Sequence, residues 1–230
     1  MQGFFLSRFL LSPRVRTSMM MMRSLASVSV NNRPYSQPIT AVSPGMGRLA
    51  LLTGAGTGIG AAMAKRLARL GYGLFLVDHN AAALKKTETE CRDLSPSPRP
   101  IFTHVANLGR MESIDEVIAA YEKNLGRKLD LLVSNVGMNK MATIHKTTPA
   151  EIDYELDVNL RGHLHLTNKT IPLLSATGEP QIVYTGSMIS HWRPLAGMST
   201  YATTKHAIRG LSFGVAEDSN IKVSLISLLV

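Results

Sequence analysis

The segment Leu51-Leu52-Thr53-Gly54-Ala55-Gly56-Thr57-Gly58-Ile59-Gly60 decides how the rest of the chain is read. The apolar run Leu49 to Leu52 reads as a strand, and four glycines follow as a turn. A helical pattern comes next, with Ile59, Met63, Leu67 and Leu70 on one face. Strand, glycine turn and helix, in that order, are the setting a phosphate-cradling loop requires. Glycine permits the tight turn and a close approach of the backbone to a diphosphate. The helix start offers unpaired N–H groups and the positive end of a dipole. A turn that merely joins two elements is the plainer alternative, and the flanking strand and helix favour the nucleotide site.

Working outward, the helix runs through Ala61 to Leu70 and stops at Gly71. Gly73 to Val77 is wholly apolar, as expected of a strand covered on both faces, and it ends in Asp78. That carboxylate stands about 20 residues past the turn, where an acid accepts hydrogen bonds from an adenosine ribose and repels a 2′-phosphate. No Arg or Lys lies within the turn or beside Asp78, and a strand-end cap is the alternative role. Asn80 to Cys91 predicts a second helix, and the proline-dense loop Ser95 to Pro100 ends it. Ile101 to Val105 predicts a third strand, closing at Ala106-Asn107. Residues 111–124 predict a helix with Ile114, Val117, Ile118 and Tyr121 inward. Leu131 to Val133 predicts a fourth strand running into Ser134-Asn135-Val136-Gly137. A long helical region is expected from about Pro149 to Leu173, then a fifth strand from Gln181 to Ser187 and a sixth from Ile221 to Ile226. Alternation at this spacing predicts an α/β fold: a doubly wound, Rossmann-like parallel sheet of about six strands with helices on both faces.

A chain of 230 residues holds one substantial core, here expected over residues 46–230. No apolar run approaches the roughly 18 residues that cross a bilayer, so no spanning helix is predicted. The formal net charge of +9 invites a nucleic-acid reading, but residues 1–50 carry six arginines and no acid. The basicity belongs mainly to that stretch rather than to a binding face, and nucleic acid is set aside. Residues 1–45, rich in Arg and Ser with Phe4, Phe5, Leu6, Phe9, Leu10 and Leu11, are expected to be a targeting extension of the mitochondrial kind. A start at Met46 would instead leave the protein in the cytoplasm. The single Cys91 forms no internal disulfide, and His163 and His165, two apart on a helix, point to different sides. No metal site is assigned.

Tyr201 and Lys205 lie one helical turn apart on one face. A free phenol, with a pKa of about 10, is a poor acid–base catalyst at neutral pH. A nearby ammonium, aided by the charge of an oxidised nicotinamide, stabilises the phenolate. Alone, Tyr-x-x-x-Lys is a frequent accident of surface helices. Joined to the glycine turn and to Ser187 at a strand end, it gains weight.

At this point the chain resembles the short-chain dehydrogenase/reductase family over about residues 47–227. Thr53 to Gly60 matches the cofactor motif, Tyr201/Lys205 the active-site motif, Asn159 the helix-kinking asparagine and Ser187 the serine. The resemblance implies a catalytic tetrad of Asn159, Ser187, Tyr201 and Lys205. Tyr201 would be the acid–base and Ser187 would bind the substrate oxygen. Lys205 would hold the ribose and tune Tyr201, and Asn159 would anchor a relay water. It implies cofactor contacts at Gly54, Thr57, Gly58, Ile59, Gly60, Asp78, Asn107, Leu108, Asn135, Gly137, Tyr201 and Lys205. Asp78 and the lack of a basic residue at Thr57 predict NAD(H) in preference to NADP(H), and the resemblance implies an alcohol or ketone as small-molecule substrate and a homo-oligomer formed through the helices carrying Asn159 and Tyr201.

Three departures stand out. Ser134-Asn135-Val136-Gly137 replaces the family's Asn-Asn-Ala-Gly, and Asn107 stands where an aspartate usually faces the adenine. After the sixth strand the chain reads Ser227-Leu228-Leu229-Val230, so the family's substrate-covering segment and seventh strand are expected to be missing. His191, Trp192, Met198 and Met138 are candidates for a substrate wall. Two functions follow: a dehydrogenase using the tetrad, or a catalytically impaired nucleotide-binding protein left so by truncation. An uncapped sixth strand is further expected to associate at its edge and to turn over slowly.

Overall fold

The computed structural model describes residues 45–192 and 194–228, so nearly all of the expected targeting extension lies outside the described residues. Six strands form one parallel sheet: β1 (Leu49–Thr53), β2 (Gly73–Asp78), β3 (Ile101–Val105), β4 (Leu131–Ser134), β5 (Gln181–Thr185) and β6 (Lys222–Ile226). Their spatial order is β3-β2-β1-β4-β5-β6. The helices between them are α1 (Gly58–Arg69), α2 (Ala81–Leu94), α3 (Met111–Leu125), α4 (Pro149–Leu156), α5 (Gly162–Leu174) and α6 (Ser199–Asp218). The expected doubly wound fold is the observed one.

Each strand feeds two cores because successive side chains leave a strand on opposite faces. Leu51, Phe75, Val77, Leu132, Ile182 and Tyr184 pack with α3, α5 and α6. Their sequence neighbours Ala50, Leu52, Leu74, Leu76, Leu131 and Val133 pack with α1 and α2. Every residue of β2 is buried, as its unbroken apolar run requires.

One expectation changes. The buried face of α1 is Gly60, Ala64 and Ala68, and Met63 and Leu67 flank it partly buried. Small residues let α1 come close to the sheet, which places its start against the ends of the strands. The helical region expected from Pro149 to Leu173 is observed, with Asp157–Arg161 forming a π turn around Asn159 between α4 and α5. A Cβ on Gly162 would lie 2.5 Å from the Leu108 carbonyl, so the chain passes here with no room for a side chain. A π turn adds a residue to the helical circuit and turns Asn159 fully inward.

The order of strands reverses between β1, which pairs with β2, and β4. Loops that leave the strand ends on either side of such a switch point diverge and open a crevice there.

Candidate active site

The crevice is a cleft of about 300 Å³ lined by Gly54, Val77, Asp78, His79, Ala106, Asn107, Leu108, Val136, Gly137, Met138, Tyr154 and Val158. Its floor is the glycine turn. Gly54 and Gly58 adopt φ of +66° and +53°, which an L side chain rarely takes. The space beyond Gly58 is open, while Gly60 is packed against the Gly54 carbonyl. Thr57 caps α1 without a side-chain hydrogen bond, and the first turn holds no acid. The N–H groups of that turn are therefore left for an anion, so these residues fit a diphosphate.

Asp78 braces the turn. Its Oδ2 accepts the Gly56 N–H at 2.8 Å and its Oδ1 the Asn80 N–H at 2.9 Å. It caps the strand end and also lines the cleft. Asn107 lines the same wall, its Oδ1 accepting the Gly109 N–H and its Nδ2 3.4 Å from the Tyr154 hydroxyl. Leu108 is buried beside it.

Asn135 sits at the centre of the strand ends. Its amide donates to the Thr53 and Gly54 carbonyls at 3.1 and 3.3 Å, and its Oδ1 accepts the Thr185 hydroxyl at 3.0 Å. The Thr53 hydroxyl accepts the N–H groups of both Asn135 and Val136. The Asn135 side chain is thus spent on joining β1, β4 and β5, and its main-chain N–H is held by Thr53 as well. Gly137 brings the chain close to Lys205 and Asn159.

The four expected catalytic residues converge beyond this cleft. Asn159 accepts the Met138 N–H at 2.8 Å, donates to the Met138 carbonyl at 2.7 Å, and lies 3.4 Å from Thr204 on α6. It clamps the loop after β4 to α6. Ser187 follows β5, where Gly186 and Met188 donate to the Ile226 and Leu228 carbonyls and carry the strand pairing past Thr185. The Lys205 ammonium donates to the Thr185 carbonyl at 2.9 Å and stands 5.6 Å from the centre of the Tyr201 ring. Burial lowers its pKa to about 8, which leaves it mostly charged at pH 7.

Tyr201 corrects one expectation. Burial raises its pKa above that of a free phenol, a hydrogen bond with Ser187 opposes the rise, and the charge of Glu155 adds to it. Lys205 lies over the ring with its ammonium turned to Thr185, so the expected lowering of the phenol's pKa is not seen in this arrangement. Of the candidate substrate wall, Met138 lines the cleft and Met198 is buried at the start of α6. Trp192 is half exposed, and the His191 ring lies 3.0 Å from the Ser227 hydroxyl. They do not form a single wall.

Sequence reading set His163 aside once it failed as a metal ligand, yet it is fully buried beneath the site. Its Nε2 is 2.8 Å from the Val136 carbonyl and its Nδ1 2.6 Å from the Ser134 hydroxyl. A carbonyl only accepts, so Nε2 carries the proton and Nδ1 accepts from Ser134. Burial first, then the nearby Lys205 charge, hold its pKa down at about 3. The unfolded chain takes up a proton near pH 6.5 that the folded chain refuses, so His163 lends its full stability above about pH 6.5. Between there and about pH 3 the fold is expected to lose about 1.4 kcal/mol per pH unit from this group. Urea unfolding at stepped pH checks it: His163→Gln should start lower at pH 7 and show a flatter acid limb. An unchanged limb would mean that His163 titrates normally.

Comparison with known proteins follows the same lines. A family model described as short chain dehydrogenase matches residues 48–228. The chain is 30% identical over 166 residues to the levodione reductase of Leifsonia aquatica, an overlap covering 72% of this chain and 61% of that protein. It is similar to a short chain dehydrogenase of Burkholderia cenocepacia solved in complex with NADP, with TM-score 0.72, 30% identity, and 80% and 74% of the two chains covered. It is also similar to an NAD⁺-bound xylitol dehydrogenase, with TM-score 0.72, 28% identity, and 80% and 70% covered. With the glycine turn, the strand order and this match in agreement, the chain belongs to the short-chain dehydrogenase family.

Proposed function

We propose that the protein is an NAD(H)-dependent oxidoreductase that interconverts a secondary alcohol and its ketone. The observation that carries this is Tyr201, partly buried beyond the cleft with Ser187 as its hydrogen-bonding neighbour and the Lys205 ammonium 5.6 Å from its ring centre. A bound nicotinamide supplies the hydride acceptor or donor. The chain's own groups manage the proton. Ser187 donates a hydrogen bond to the substrate oxygen, and Tyr201 takes the hydroxyl proton as the alcohol is oxidised or returns it as the ketone is reduced. Lys205, held by the Thr185 carbonyl, keeps a positive charge beside the phenol and within reach of a ribose hydroxyl. Asn159 fixes Met138 and with it the wall of the cleft. The start of α1 and the turn residues Gly54, Thr57, Gly58, Ile59 and Gly60 hold the diphosphate, while Asn107, Leu108 and the Asn135–Gly137 main chain line the adenine and nicotinamide ends. Purified protein incubated with NAD⁺ and a panel of secondary alcohols tests the proposal. NADH binding without any turnover on a folded sample would favour a non-catalytic nucleotide-binding protein.

Preference for NAD(H) over NADP(H) rests on Asp78, and among the described residues no Lys or Arg lines the cleft. Asp78→Asn with Thr57→Arg removes the repelling charge, keeps one brace on the turn and adds a cation. The ratio of NADPH to NADH dissociation constants is expected to fall at least about tenfold, about 1.4 kcal/mol, by fluorescence titration. An unmodified chain that binds NADPH more tightly than NADH would remove Asp78 from that role.

A further inference from the structure

The strand order gives the site two sides. Tyr201 and Lys205 stand on α6, beyond β4 and β5, so a nucleotide cradled at the start of α1 turns its other half toward β2 and β3. The cleft wall there includes Asp78, His79 and Asn107 from the strand ends, Tyr154 from α4 and Val158 from the π turn. Among the described residues lining the cleft, Tyr154 carries the one hydroxyl. It is 45% exposed, so an incoming ligand can reach it. Its ring lies against Gly109, where an added Cβ would come within 3.3 Å of Tyr154 Cε2 and 3.2 Å of Asn107 Oδ1. The bare glycine is what lets the ring lie beside Asn107.

Asn107 fixes what this corner can recognise. Its Oδ1 accepts the Gly109 N–H at 3.0 Å. A main-chain N–H only donates, so turning the amide round would set donor against donor. The donor Nδ2 is therefore turned to the Tyr154 hydroxyl, 3.4 Å away, where an aspartate would present a second acceptor. The 6-amino group of adenine is itself a donor, and Nδ2 offers it nothing. Asp78 is no substitute, because its two oxygens hold the Gly56 and Asn80 N–H groups and His79 Nδ1 lies 3.2 Å from Oδ1. The Tyr154 oxygen supplies what is missing. It accepts from Nδ2, keeps a second lone pair and carries a proton of its own.

We propose that the Tyr154 hydroxyl, oriented by Asn107, is the group that meets the 6-position of the cofactor's purine base. It rests on the reading of the cleft as a dinucleotide site. The hydroxyl accepts from the 6-amino group of adenine and rotates to donate to the 6-oxo group of hypoxanthine, so this corner takes either purine.

Fluorescence titration of the full chain with NADH and with its 6-oxo analogue, reduced nicotinamide hypoxanthine dinucleotide, tests this. The parent is expected to bind the two within about threefold of each other. Tyr154→Phe keeps the ring against Gly109 and removes only the hydroxyl, which leaves the Asn107 donor to face the base. NADH affinity should then fall by about three- to tenfold. The 6-oxo analogue, an acceptor opposite a donor, should stay within about twofold of its parent value. A hydroxyl that merely supported the wall would weaken both ligands alike. A wider gap in the parent, an equal fall for both ligands, or no change for either overturns the proposal. These readouts are dissociation constants and need no turnover. A parent chain that binds neither dinucleotide would defeat the nucleotide site itself, whereas a parent that binds both and a Tyr154→Phe chain that matches it would defeat only the role of Tyr154.

Discussion

Tyr201→Phe is expected to lower alcohol oxidation by about 10²–10⁴-fold while NADH affinity stays within about twofold of the parent. Only the hydroxyl is lost. The ring that the Lys205 ammonium covers remains, as does the Lys205 bond to the Thr185 carbonyl. The proton of the reacting alcohol then has no positioned acceptor, because Ser187 is a poor base and Asn159 is committed to Met138. Steady-state rates with a saturating alcohol, set beside a fluorescence titration of NADH, separate the two effects. Turnover within about twofold of the parent would take Tyr201 out of the acid–base role.

Gly60→Ala is expected to cost about 3 kcal/mol or more and to abolish measurable NADH binding. A Cβ at this position would lie 1.8 Å from the Gly54 carbonyl and 2.7 Å from the Asn135 amide. Both are fixed: Gly54 is main chain, and Asn135 is tied to three strands. The start of α1 would have to back away from β1 and carry its N–H groups off the cleft. Gly58→Ala is the control, since the space beyond it is open and only its φ of +53° opposes a side chain. Its expected cost is about 1 kcal/mol. Thermal melts and NADH titration of the two variants check this. A Gly60→Ala protein that melts with the parent and binds NADH would show that α1 is free to move.

Much of the molecule is legible along the chain. Gly73 to Val77 coincides with β2 to within one residue, because a strand covered on both faces leaves a continuous apolar signal, and Ile101 to Val105 coincides with the edge strand β3. The four-residue step from Tyr201 to Lys205 put both side chains on one face of α6 before any partner was known, since helical periodicity is a local property. The strand–turn–helix order also placed the glycine turn between β1 and α1, where φ and close approach dictate its glycines.

What tertiary structure alone decided depends on distances between elements. Periodicity marks a buried face but not how near the sheet a helix lies, so the small side of α1, Gly60, Ala64 and Ala68, was passed over for its larger neighbours. The close pass of Gly162 over the Leu108 carbonyl, just after the π turn, is a contact between elements that the local pattern does not show. Asn135 reads as a cofactor contact until Thr53 and Thr185, both far away in sequence, are seen to consume its amide. A histidine's charge is set by burial and by neighbours brought together in folding, so His163 joined the account only when α5 stood against the end of β4 and beside Lys205 of α6.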